Sequence, residues 1–311
     1  MLAKILSAKS FLPQIILASV FVILFFLKIN PKATDWEWVT GIVFYFLNLI
    51  LLYLFFSNSS FFKNAGFPVW YFLIWNLAFS GALSEYSLMI ALFFSNLMFW
   101  RLLAAERNPE NQSYAFEIGI LLSFSAFFYP PAILLSCFLV FNYISMQSLN
   151  FRLMVLFILG IILPFALGIQ ILYLLDETEW VRSYQSSFNL NFWEFNPYWL
   201  IPIAGLILIS WFDHLSHAAT QDINKRYSYF LAFLFFLNWI GILILFAGNN
   251  RDFLIVLGLP VSFFLARFTQ FQDSVRVREF FLWGFLAFML AFYFRIEIIE
   301  IYNELLGNIS F

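Results

Sequence analysis

Charge is what this chain has least of. Only 11% of its 311 residues are charged, against about 25% in an ordinary soluble domain. Its 16 Lys and Arg and 18 Asp and Glu leave a net charge of −2, and no nucleic-acid partner is expected. Histidine is almost missing, with His214 and His217 alone. Membrane di-iron oxygenases and desaturases need many more histidine ligands, which excludes that class. The one cysteine, Cys137, cannot close an intramolecular disulfide. Walker, Rossmann and GxSxG signatures are absent as well.

What is present is apolar. Hydrophobic residues make up 63% of the chain and phenylalanine alone contributes 46 residues, more apolar surface than a soluble core of this length absorbs. Runs of about 17 to 25 such residues, the length that crosses a hydrocarbon core about 30 Å thick, recur from end to end. The expected fold is all-α: one polytopic integral membrane domain over 1–311, embedded in the lipid bilayer. About eleven spans are expected, near 11–27, 38–56, 69–83, 87–104, 114–129, 131–146, 153–175, 198–212, 228–247, 253–270 and 280–297. The first follows Lys4 and Lys9, lacks a small-x-small cleavage site and is read as an uncleaved span.

Two joints decide the topology, Ser84–Tyr86 and Tyr129-Pro130-Pro131. The apolar run from Tyr114 to Met146 would reach about 50 Å as one helix, well beyond the bilayer core. With a turn at the prolines and a cytoplasmic N-terminus, Lys4, Lys9, Lys63, Arg101, Arg107, Arg152, Lys225, Arg226, Arg267, Arg276 and Arg278 fall inside. Lys28, Lys32, Arg182, Arg251 and Arg295 fall outside, so the inside holds eleven of the 16 cations, as the positive-inside rule requires. Tryptophans at the proposed span ends, such as Trp36, Trp70 and Trp211, fit interfacial anchoring.

Few groups within the spans can carry chemistry. Glu117 lies near a span end, and Asn76, Asn96, Asn142, Gln170 and Asn238 fit interhelical hydrogen bonding. Asp213 and His217 stand four apart and with His214 offer part of a metal site. A solvated interfacial helix end is the favoured reading of them, so no metal ligand is assigned and no cofactor is named. The outer rim is richer: Asp35 and Glu37, then Glu85, then Asp176, Glu177, Glu179 and Arg182, and finally Arg251 and Asp252. Carboxylates there can serve as general bases and an arginine can grip phosphate bidentately.

Two stretches carry a resemblance. EIGILLSFSAFFYPPAILLSCFLVFNYISMQSLNFRLMVLFILGIILPFALGI, Glu117 to Ile169, and NNRDFLIVLGLPVSFFLARF, Asn249 to Phe268, resemble the middle and late spans of GT-C class glycosyltransferases. The FYPP turn, the NFR step and the GLP span also resemble a bacterial family of uncharacterised inner-membrane proteins, over most of the chain. The GT-C resemblance implies a polyprenyl-phosphate sugar donor and a catalytic acid in the first outer loop, which falls on Asp35 and Glu37. It implies Arg182 or Arg251 on the lipid phosphate, with Glu85 and Tyr129 lining an outer-leaflet cavity. A non-catalytic subunit or assembly factor of an envelope complex, bound to membrane-protein partners, and a small-molecule carrier are the alternatives.

Overall fold

A computed structural model describes residues 3, 6, 36–58, 62, 65–107, 112–145, 151–176, 184, 188–194, 198, 201–216 and 223–294. Among them ten α-helices follow in order: α1 (Trp36–Asn58), α2 (Gly66–Ala78), α3 (Tyr86–Arg107), α4 (Ser113–Phe128), α5 (Leu135–Ser145), α6 (Phe151–Leu174), α7 (Ile201–Ser216), α8 (Ile223–Phe246), α9 (Gly258–Phe271) and α10 (Val275–Tyr293). Short 3-10 segments at Ser80–Ser84, Pro130–Leu134 and Arg251–Leu257 lead into α3, α5 and α9.

This is a helical membrane protein, but the expected eleven spans are not what its described residues contain. Five stretches are long and apolar enough to cross a bilayer: Trp36–Ser57, Tyr86–Ala105, Phe151–Leu174, Arg226–Phe246 and Arg251–Phe271. Ser113–Phe128, Pro130–Val140 and Ile201–Asp213 are apolar and shorter. The physical reason is breakage. α2 has 13 residues, about 20 Å of helix at 1.5 Å per residue, before the chain tightens into the Ser80–Ser84 segment. The expected first span, 11–27, lies outside the described residues.

Side-chain register gives the helix directions. Phe44 meets Phe93 and Phe55 meets Phe99, and the Asn96 amide donates to Asn48 Oδ1 at 2.9 Å, so α1 and α3 run parallel. α4 runs against α3, because Phe124 stacks on Phe94 while Arg101 pairs with Glu117 at 3.4 Å. α4 and α6 run parallel: Gly119 lies 3.0 Å from where a Gly160 Cβ would sit, Ser123 Oγ donates to the Ile161 carbonyl at 3.0 Å, and Phe127 meets Phe165. Parallel neighbours joined through α5 require two chain reversals. The first is the Tyr129-Pro130-Pro131 joint, where Tyr129 is extended at φ −133° and ψ 92°, the conformation a following proline favours.

The seams show why these residues pack. A Cβ at Gly119 or Gly160 would run into the Phe157 or Phe116 carbonyl of the opposite helix, so only glycine lets the two backbones touch. Pro164 inside α6 removes the N–H that would have bonded the carbonyl four residues back, and the Ser123 hydroxyl arrives from α4 beside that gap. Ser125 and Ser210 likewise donate to carbonyls of neighbouring helices, Ala91 at 2.9 Å and Phe264 at 2.7 Å. α2 is enclosed, with every residue buried. Trp75 Nε1 donates to the Leu254 carbonyl at 2.8 Å, and the Tyr71 and Thr269 hydroxyls share a 2.6 Å hydrogen bond.

Candidate functional site

The directions above bring several segment ends to one end of the bundle: the start of α3, the end of α4, and the Arg251–Leu257 segment that follows α8. Polar side chains gather there. Glu85 closes the Ser80–Ser84 segment, donating its N–H to the Ala82 carbonyl at 3.0 Å. Asn250 precedes the Arg251–Leu257 segment and uses its one amide twice. Its Oδ1 accepts from the Asp252 N–H at 3.0 Å, the cap that starts a helical turn, and its Nδ2 donates to Glu85 Oε1 at 3.2 Å. Asp252 lies against Gly81, where any Cβ would collide with its carboxylate. Glycine there is what allows the carboxyl so close to the backbone.

Tyr129 completes the group from the proline turn. Its ring packs edge-on against Phe253 at 5.8 Å, and its carbonyl accepts from the Ala132 N–H at 2.9 Å. Burial pushes the Tyr129 phenol well above its ordinary value, and the Glu85 carboxylate adds to the rise. The phenol is therefore a neutral donor at any physiological pH. Burial also moves the Glu85 carboxyl upward, an effect the Asn250 hydrogen bond offsets in part and the Asp252 charge reinforces. A carboxylate made more basic in this way, beside a fixed donor and a phenol, can take a proton from a hydroxyl or hold one.

Of the residues picked from sequence, Glu85 and Tyr129 come together here, and Arg251 reaches the same end of the bundle as the neighbour of Asp252 on one turn. Glu37 is exposed on the first turn of α1. That turn reaches this end because Trp36 packs on Tyr86 at 4.9 Å and because Gly41, lacking a Cβ, lets α1 rest on the Leu83 carbonyl. Asp35 and Arg182 lie outside the described residues, as do His217 and the His214 side chain. Asn250 was missed from sequence, since an amide among apolar spans reads as interhelical glue. Its signal was position: an Asn two residues before an Asp at the head of an apolar helix is a capping pattern.

Fold and cluster together define a polytopic helical membrane protein whose described residues include a half-buried polar junction at one end of the bundle. The chain belongs to a family of unknown function, DUF6427, whose profile matches residues 1–302. This agrees with the resemblance to uncharacterised membrane proteins and carries nothing of the likeness to GT-C transferases. No curated protein and no solved structure matches the chain.

Proposed function

We propose that the protein is a GT-C-like component of the bacterial inner membrane, N-terminus cytoplasmic, that acts at the outer leaflet on a polyprenyl-phosphate-linked sugar or another envelope glycan or lipid. The observation that carries this reading is the convergence of Glu85, Tyr129 and Arg251 from three distant segments on one end of the bundle. In the reaction, Glu85 takes the proton of an acceptor hydroxyl. The acceptor oxygen bonds to the anomeric carbon while the bond from that carbon to the phosphate oxygen breaks, and the phosphate leaves with the electron pair. Arg251 holds that phosphate, and Tyr129 donates a hydrogen bond to the acceptor or the sugar. Glu37, with Asp35 before it, supplies further acid groups from the first turn of α1.

A carrier for small polar molecules has less support, because the cavity between α7, α8 and the Arg251–Leu257 segment is lined by apolar and aromatic residues alone. The test is release of polyprenyl phosphate from a panel of polyprenyl-phosphate sugars by the full chain in liposomes. Glu85→Gln and Arg251→Gln should each lower turnover by about 100-fold or more. Full turnover in Glu85→Gln sinks the reading. No turnover across the panel, with a stoichiometric membrane partner co-purifying, favours the non-catalytic subunit instead.

A further inference from the structure

A cavity of about 330 Å³ lies between α7, α8 and the Arg251–Leu257 segment, within the range of about 300–1,000 Å³ typical of small-molecule sites. Its wall includes Trp75, Trp193, Trp211, Phe233, Leu254 and Leu257. The Trp75 N–H is already committed to the Leu254 carbonyl at 2.8 Å, and Trp211 lies flat on Phe233 at 4.2 Å. A polar ligand placed here would leave its own groups unpaired; a hydrocarbon chain loses nothing. At roughly 30 Å³ for each water-sized group, the space takes about ten methylenes.

The entrance and the head position are both visible. Ile201 and Leu208 line the cavity on α7 yet stay 57% and 53% exposed, so this side is open and a chain can enter between helices. Trp193 is held at the wall by the loop before α7. There the Trp193 N–H donates to the Ile244 carbonyl and the Asn191 N–H to the Leu245 carbonyl, both at 2.9 Å, tying the loop to the end of α8. In a 3-10 helix, side chains three apart eclipse one another. Leu254 and Leu257 face the cavity, so Arg251 stands on the same line one turn nearer the end of the bundle, while Asp252 turns away toward Gly81 and Glu85.

We infer that the cavity binds one hydrocarbon chain of a phosphate-headed lipid, with the phosphate on Arg251. The inference rests on the reading of a lipid-phosphate ligand given above and adds the place of its chain. It also gives that ligand an entry route, laterally past α7 and not through water.

The test titrates the full-length protein with dodecyl phosphate, dodecanol and inorganic phosphate and counts bound molecules by native mass spectrometry. Dodecyl phosphate should bind, dodecanol about tenfold more weakly for want of the charge-assisted contact, and inorganic phosphate not measurably. Ala204→Phe, which puts a ring into the cavity from its open wall, should weaken dodecyl phosphate by about tenfold or more, a loss of a few methylene contacts. Leu208→Trp serves the same purpose if Ala204→Phe fails to fold. Arg251→Gln should bring dodecyl phosphate down to the level of dodecanol. Unchanged dodecyl phosphate binding in a folded cavity-filling variant overturns the inference, as does inorganic phosphate binding as well as the alkyl phosphate. Loss of turnover in Glu85→Gln with chain binding intact bears only on the catalytic reading, so the two can fail separately.

Discussion

α2 and α6 read alike as sequence, both almost unbroken apolar stretches, and they sit in opposite surroundings. All 13 residues of α2 are buried among other helices, whereas α6 buries only Phe157 and Gly160 of its 24. Hydropathy does not separate these cases, because lipid tails are as apolar as leucine. What separates them is hydrogen-bonding need. α2 carries Tyr71 and Trp75, whose polar atoms find the Thr269 hydroxyl and the Leu254 carbonyl inside the protein, as buried polar groups require. α6 carries such groups only near its ends, at Arg152, Gln170 and Tyr173, and its inward stripe is marked by a small residue at the α4 contact.

The comparison breaks first on a pair of truncations. Ile74→Ala in α2 should cost about 2–5 kcal/mol, and Leu163→Ala on the exposed side of α6 should stay within about 0.5 kcal/mol. Denaturant titration of both variants in the same detergent decides it, and equal losses would mean that α6 is not the outer helix. Gly160→Leu probes the one stripe of α6 that does face protein. Overpacking there should cost about 1–3 kcal/mol, read as a lowered melting temperature.

An opposite sign is expected inside α2. Both amide atoms of Asn76 are buried with no hydrogen-bond partner among the described residues, so Asn76→Leu should raise the melting temperature, by the equivalent of about 1–3 kcal/mol. A fall would show that the amide has a partner beyond those residues. The Asn48–Asn96 bond between α1 and α3 is a smaller quantity. A double-mutant cycle to leucine should return a coupling of about 0.6 kcal/mol and no more than about 1.7.

The smallest effect concerns pH. The Glu85 carboxyl is shifted upward in the folded state, so the fold favours its protonated form. That contribution is fully present below the unfolded value, about 4.3, and is lost as pH rises through the higher folded value. Unfolding midpoints of the parent should therefore decline across weakly acidic pH, with a shallower decline in Glu85→Gln. Parallel profiles for the two proteins would remove Glu85 from the titrating groups.

Much of this architecture can be read from residues alone. Length against bilayer thickness, with the cation balance, predicts that Pro130 and Pro131 mark a reversal, and the parallel register of α4 and α6 shows one. The same loop counting put Glu85, Tyr129 and Arg251 on a common side, and the structure brings them to a common end. The span count failed because an apolar run reports compatibility with hydrocarbon but not whether helix geometry persists through it. Ser80–Ser84 is a 3-10 segment whose sequence looks like ordinary helix, and it stops α2 after 13 residues. Asn250 escaped notice because its role depends on a partner, Glu85, 165 residues away. The fit of Gly81 to Asp252 has no sequence signal at all, since one glycine among apolar residues predicts no particular neighbour.

The enclosure of α2 has a consequence for the time course of synthesis. Trp75 finds its acceptor 179 residues later in the chain and Tyr71 its partner 198 residues later. At about 5–20 residues per second, that is a wait of roughly 10–40 seconds. Through that interval α2 has neither the length to cross a bilayer alone nor the neighbours that will enclose it. Its nascent form needs shelter from insertion machinery or a bound helper, and a polypeptide stopped before α9 would be a natural target for quality-control proteolysis.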